Sequence, residues 1–286
     1  MAESLVKDLI ESGIHFGQRA SNWSPKMKPF IYGKRNGIHI IDIKETVKGL
    51  LLAKKFVAKT VGDGKDVCFV GTKRQAKNVI EEHVPGVKMH YVTERWLGGT
   101  LTNFRTIRSR LKRLEELEHI ETETNFAGYS KKMESQLRRE LRKIKRNLDG
   151  IRGMDKLPGV MVVIDVRREM TALNEARKLG IPTVCLIDTD GDPDMADIAI
   201  PGNDDSMRSI DVIVRELCKS IAEGRQQRTE RSGGEPEQDA EGDDGRPRRS
   251  RRAQYRADDA TQAAEGETPE GDAPAATKTP IGNRAE

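Results

Sequence analysis

Carboxylates in this sequence fall where chemistry could be built. Asp165 closes the apolar run 159–165 (GVMVVID), and Asp188 and Asp190 open the acidic stretch that follows the run 181–188 (IPTVCLID). Carboxylates gathered at the C-terminal ends of parallel strands can hold Mg²⁺, because ligands collect at that edge. The segment Asp188-Thr189-Asp190-Gly191-Asp192-Pro193-Asp194 also resembles a calcium loop. An EF-hand needs Gly at its sixth position and Glu at its twelfth; Pro193 and Ala199 stand there, so the match fails. Aspartates that cap turns and helices are the competing reading. Gly71-Thr72-Lys73-Arg74 follows an apolar strand and opens a helix, where backbone N–H groups and the helix dipole can hold a phosphate. It lacks the GxxxxGK[ST] of a nucleotide loop, which leaves an RNA phosphate contact by Thr72, Lys73 and Arg74 as the better use. The five histidines show no paired spacing, and no GxSxG turn is present. Cys68, Cys185 and Cys218 are far apart in apolar or amphipathic runs, as expected of buried reduced thiols without a metal. No motif calls for catalysis, and no cofactor is expected.

Cations make the stronger pattern. Residues 105–156 hold 15 Lys and Arg against 9 Asp and Glu, a local net of +6. From residue 224 onward there are 11 basic and 14 acidic residues, so a chain of net +4 has a body of +7 and a tail of −3. Such an offset suggests an anionic partner, nucleic acid first, with a solvated charged helix face as the alternative. Further upstream, residues 22–35 (NWSPKMKPFIYGKR) interleave Lys and Arg with Trp23, Phe30 and Tyr32. Rings stack on exposed bases while cations meet phosphates. A loop whose aromatics pack on the domain would carry the same residues.

The elements that must position these groups follow from periodicity. Apolar residues recur at Phe104, Ile107, Leu111 and Leu114, then at Leu137, Leu141, Ile144, Leu148 and Ile151 after a break at 125–129. Gaps of three and four predict two helices in an antiparallel coiled-coil hairpin, too narrow for a core of its own. It is preceded by the glycine turn Trp96-Leu97-Gly98-Gly99. Strands are predicted at 37–43, 66–71, 88–92, 159–165 and 181–188, with a short one at 197–200. Helices are predicted at 3–12, 44–61, 72–84, 168–179 and 204–222, the last capped by Asp204 or Asp205, while Pro25 and Pro29 forbid helix between them. Five strands alternating with helices give a three-layer α/β/α sandwich on a parallel sheet, with the hairpin between strands three and four. The expected organisation is a sandwich over 1–103 and 157–223, a hairpin over 104–156, and a disordered charged tail over 224–286 with an Arg-rich island at 246–256. The N-terminus lacks a basic region followed by an apolar one, and no apolar run approaches the ~20 residues that span a bilayer. A soluble cytoplasmic chain is the expectation.

Several longer motifs stand in one order: Gly13-Ile14-His15-Phe16-Gly17, the run 23–33 (WSPKMKPFIYG), 36–42 (NGIHIID), Phe69-Val70-Gly71-Thr72-Lys73, 95–103 (RWLGGTLTN) and 200–205 (IPGNDD). Over roughly residues 3–224 the chain closely resembles the bacterial small-subunit ribosomal protein S2 family. The resemblance implies a flavodoxin-like domain with an inserted coiled coil, seated on small-subunit ribosomal RNA at the junction of head and body. It also implies neighbouring ribosomal proteins as partners, including the large one that captures messenger RNA, with no membrane and no homo-oligomer. The family often has a second His after its HFG motif, near which some members hold zinc; here that position is Gln18, which counts against a metal. On this reading the RNA contacts are Arg19, Lys26, Lys28, Lys34, Arg35, Lys73, Arg74, Arg95, Asn103, Arg105, Arg108 and Lys112. The alternative is a nucleotide- or Mg²⁺-responsive α/β switch or enzyme working through Asp165, Asp188 and Asp190.

Overall fold

The computed structural model describes residues 2–126 and 128–231, all within the unit Met1–Glu235. The expectations for the charged tail beyond Arg231, its Arg-rich island included, lie outside the described residues. Helix α1 (Ala2–Glu11) is followed by β1 (Phe16–Arg19), β2 (Ile31–Arg35) and β3 (Ile38–Ile41). These strands form an antiparallel sheet in the order β1-β3-β2. Asn36 and Gly37, both at positive φ (50° and 77°), make the tight reversal from β2 to β3. That is the two-residue turn whose twist suits a hairpin. The strand expected at 37–43 therefore pairs locally and is not a member of the parallel sheet. Nor do the prolines forbid helix: Pro25–Phe30 is a 3-10 helix with Pro25 in its first turn, where a missing N–H costs nothing.

Asp42 caps α2 (Ile43–Gly62), its Oδ1 accepting from the Lys44 N–H at 2.9 Å. Then come β4 (Val67–Val70), α3 (Arg74–His83), β5 (His90–Val92), the arm helices α4 (Phe104–Thr124) and α5 (Lys131–Leu148), and β6 (Val160–Ile164). The chain continues through α6 (Met170–Leu179), β7 (Thr183–Ile187), β8 (Ile198–Pro201) and α7 (Met207–Arg231). The five-stranded parallel sheet runs β5-β4-β6-β7-β8. This is the flavodoxin-like order, with its switch point between β4 and β6. The arm thus enters between the second and third strands of this sheet, and β8 takes the fifth place.

Strand side chains alternate between two cores, as a pleat requires. Val67, Phe69, Val162, Ile164, Val184 and Leu186 meet α1, α2, α3 and α7 on one face. Cys68, Val70, Met161, Val163 and Cys185 meet α6 and the root of the arm, through Ile107, Leu111 and Leu148, on the other. Both faces being covered explains why these strands read as unbroken apolar runs. Cys68, Cys185 and Cys218 are free and buried, and burial pushes each thiol up to about 12.

The last helix starts later and ends later than its periodicity predicts. Ser206 accepts from the Ser209 N–H at 3.4 Å, the place expected of Asp204 or Asp205. Gly224 lies inside α7, where a Cβ would come within 2.5 Å of the Ala58 carbonyl oxygen, so glycine there reflects close packing on α2 rather than a chain break.

Candidate nucleic-acid interface

The C-terminal edge of the parallel sheet gathers the carboxylates that the sequence singled out, and the chain answers them itself. Lys73 Nζ lies 2.7 Å from Asp204, 2.6 Å from Asp205 and 3.5 Å from Asp165, with 12% of its side chain exposed. Gln18 Nε2 donates to Asp205 at 2.6 Å and to Asp188 at 3.3 Å. Asp188 also accepts from the Thr189 N–H, and Asp190 pairs with Arg167 at 3.0 Å. Burial, with Asp165 and Asp188 beside it, pushes Asp204 up to about 8, and burial pushes Asp188 up to about 6. Lys73 is itself penalised by burial, yet Asp204, Asp205 and Asp165 hold it above its ordinary value. One ammonium faces several carboxylates, and burial raises the proton affinity of Asp204 and Asp188 among them.

Carboxylate oxygens of Asp188, Asp204 and Asp205 lie within 4.8 Å of one another, a spacing a metal could use. Lys73 Nζ already meets Asp204 and Asp205 as their counter-ion, however, and an ammonium can only repel a cation placed beside it. The residues present do not fit zinc or Mg²⁺. Thr72, expected at a phosphate, is likewise engaged: its N–H donates to Glu169 at 2.9 Å, and its hydroxyl donates to the same oxygen. A buried carboxylate thus takes the donors of Thr72, one residue ahead of the helix N-cap Lys73. Among the predicted RNA contacts, Lys73 is held inside this network.

A second buried carboxylate sets the root of the arm. Glu175 on α6 accepts from Trp96 Nε1 (3.1 Å) and from the backbone N–H groups of Gly99 (2.8 Å), Leu101 (3.0 Å) and Thr102 (3.1 Å). Burial opposes its charge, but the Thr102 and Gly99 N–H groups and the Trp96 indole hold its carboxyl below the usual range. Gly99 supplies a φ of +92° that lets those donors converge. The side chain of Asn103 does not cap α4; its Oδ1 accepts from the Thr106 hydroxyl at 2.7 Å. At the other end of the root, Arg108 donates to the Met154 carbonyl (3.3 Å) and pairs with Asp155 (2.7 Å). Beyond the root the helices run antiparallel, pairing Arg113 with Glu140, Glu118 with Lys145 and Glu121 with Arg138. They enclose a small core of their own, Leu114, Leu117, Phe126, Leu137 and Leu141, which the narrow shape had seemed to preclude.

The predicted contacts separate by what their charges already meet. Lys26 pairs with Asp192 (2.8 Å) and Asp194 (2.7 Å), and Arg108 and Lys73 are engaged as described. Arg19, Lys28, Lys34, Arg35, Arg74, Arg95, Arg105 and Lys112 are exposed and form no ion pair among the described residues. Arg110, Arg139 and Lys143 on the arm share that condition and were missed, because helical charge alone does not reveal which cations lack partners. Residues 12–41 carry five Lys and Arg and no Asp or Glu. On this segment Phe16 is 47% and Tyr32 81% exposed. Phe30 instead packs on the core, and Trp23 lies against His39 with ring centroids 5.1 Å apart.

An α/β block whose strand-end carboxylates are paired from within, bearing an arm with unmatched cations, has the make-up of a binding scaffold. The family model described as ribosomal protein S2 matches residues 9–224. The chain is 55% identical over 227 residues to the small ribosomal subunit protein uS2 of Rhodopirellula baltica, covering 79% of this chain and 87% of that one. It is 50% identical over 220 residues to uS2c of Guillardia theta (77% and 93% covered) and 47% identical over 240 residues to uS2 of Mycobacteroides abscessus (84% and 87%). The chain belongs to the ribosomal protein S2 family. It is a structural constituent of the small ribosomal subunit, ribosome-associated in the cytoplasm, without enzymatic activity, and its partners are the RNA and proteins of that subunit. No described helix is long and apolar enough to cross a membrane.

Proposed function

We propose that this protein grips small-subunit ribosomal RNA directly, at the junction of head and body, and helps recruit the large messenger-RNA-binding ribosomal protein. The observation that carries the first part is the set of exposed, unpaired cations on the arm and on the acid-free segment 12–41. Phosphates are met by charge, and the sandwich serves as a rigid mount. Arg19, Lys28, Lys34, Arg35, Arg74, Arg95, Arg105 and Lys112 are the residues assigned to phosphates; Asn103, at the arm's start, is placed beside them. Filter binding to deproteinised small-subunit RNA across a salt series tests the reading. For 6–10 phosphate contacts, affinity falls roughly 10³–10⁵-fold between 50 and 200 mM salt. Replacing Arg105 and Lys112 together by Ala should lower the log–log slope by about two while leaving the thermal unfolding midpoint unchanged. Binding indifferent to salt would contradict the proposal.

The recruiting surface we assign to the solvent face of the antiparallel sheet. Phe16 and Ile38 are exposed there, Tyr32 stands at the edge, and a Cβ built on Gly33 meets nothing. Exposed apolar surface of this kind marks protein contacts. Cosedimentation of the messenger-binding protein with small subunits carrying Tyr32→Ala should fall several-fold. Retention at the wild-type level would remove this face from consideration.

A further inference from the structure

Helix α2 gives only one of its three consecutive leucines to the core. Leu50 is fully buried, whereas Leu51 and Leu52 are 52% and 56% exposed. The exposed residues of α2 are Lys44, Lys48, Leu51, Leu52, Lys55 and Lys59, with no carboxylate among them. Successive residues lie about 100° apart round a helix, so the two leucines stand side by side at one level of this face. One pair of lysines precedes them and another follows, the members of each pair one turn apart. Lys44, Lys55 and Lys59 form no ion pair among the described residues, and Lys48 meets Glu45 of its own helix at 3.3 Å. The opposite side of α2 is pinned. Thr46 Oγ1 donates to the Pro201 carbonyl at 2.7 Å, Lys54 pairs with Glu216 at 2.6 Å, and Leu50, Ala53 and Val57 lie in the core. The helix cannot roll to hide its two outer leucines without giving up those contacts.

We infer that the outer face of α2 docks an acidic amphipathic segment of a neighbouring small-subunit protein. Apolar side chains of that segment lie against Leu51 and Leu52, and its carboxylates on either side meet the two lysine pairs. An apolar centre within a polar rim is the anatomy of a protein contact. The rim carries one sign of charge only, so complementarity selects a partner whose apolar residues are flanked by Asp or Glu. RNA would use the lysines and leave the leucines wet, because bases stack on rings and guanidinium planes and this face offers neither. At 1.5 Å per residue, Lys44 to Lys59 spans roughly 22 Å, the length of a short helix laid along α2. None of these residues is among those assigned above to RNA or to the recruiting sheet, and the inference is independent of both.

Small subunits reconstituted with the full chain, photoreactive benzoylphenylalanine standing in place of Leu52, test the inference. Irradiation should give one protein–protein cross-link, which peptide mass spectrometry should place in another subunit protein, in a segment whose apolar residues are flanked by carboxylates. Lys48→Glu with Lys55→Glu in the same chain should reduce that cross-link by about fivefold, as expected when rim charges steer association. The salt slope of binding to deproteinised small-subunit RNA should stay at the wild-type value. A cross-link to RNA, to a second copy of this chain or to a segment without flanking carboxylates would overturn the inference, as would no cross-link at all. An undiminished cross-link in the charge-reversed chain would overturn it too, and a salt slope lowered by about two would do so by assigning these lysines to phosphates. Lys48→Gln with Lys55→Gln carries the same expectations should the reversed charges lower the unfolding midpoint. The cross-link is read in assembled subunits, so it decides the matter even if the isolated protein fails to bind RNA.

Discussion

Asp204 shows how far a side chain's role depends on residues distant in sequence. The motif around it reads as a helix cap, but its partner Lys73 lies 131 positions away and arrives through a different strand. Sequence spacing cannot announce such a meeting, and so Lys73 was expected at a phosphate. Glu169 and Glu175 were silent for the same reason: each is one helix carboxylate among many until the fold brings backbone donors to it. The buried cluster has a measurable pH signature. Folding raises Asp204 to about 8 and Asp188 to about 6 from an ordinary 3.8. The folded state therefore binds more protons than the unfolded state between about pH 4 and 8, and stability from these groups falls as pH rises through that window. Asp205 and Glu175, held below their ordinary values, act in the opposite sense and lose their contribution only at lower pH, as they become protonated. Urea midpoints should decline from pH 5 to pH 8, and Asp204→Asn should flatten that decline; a midpoint rising over this interval in the wild type would refute the assignment.

At the level of elements, the central strands were legible because covering both faces leaves only apolar residues to read. The antiparallel sheet was not, since four- and five-residue strands carrying Arg19, Lys34 and Arg35 have no clear alternation. The Asn36-Gly37 pair was the available signal. Helix α2 carries a second glycine lesson. Gly49 abuts the backbone of Ala199 on β8, with no room for a Cβ beside that carbonyl. In an exposed helix Gly→Ala stabilises by up to about 1 kcal/mol. Here the sign should invert, and Gly49→Ala should destabilise by about 1–3 kcal/mol through forced separation of α2 from β8. Chemical denaturation of the variant checks this, and a stabilised Gly49→Ala would mean that the two elements part more easily than their packing indicates.

The described residues form a sandwich that pairs its own strand-end carboxylates and an arm that leaves part of its cations without ion pairs. Length, the offset of charge between body and tail, and the arm's apolar seams made that division legible without coordinates. The pairing of individual charges was not, because it is decided by which helix turns and strand ends become neighbours. Glu175 gives this architecture a further property. By holding the Trp96–Thr102 turn from α6, it anchors the root of the arm to the sandwich without any ligand. On the proposed RNA-binding reading, the root of the arm needs no reordering on docking, so the heat-capacity change from that region is set by the surface it covers.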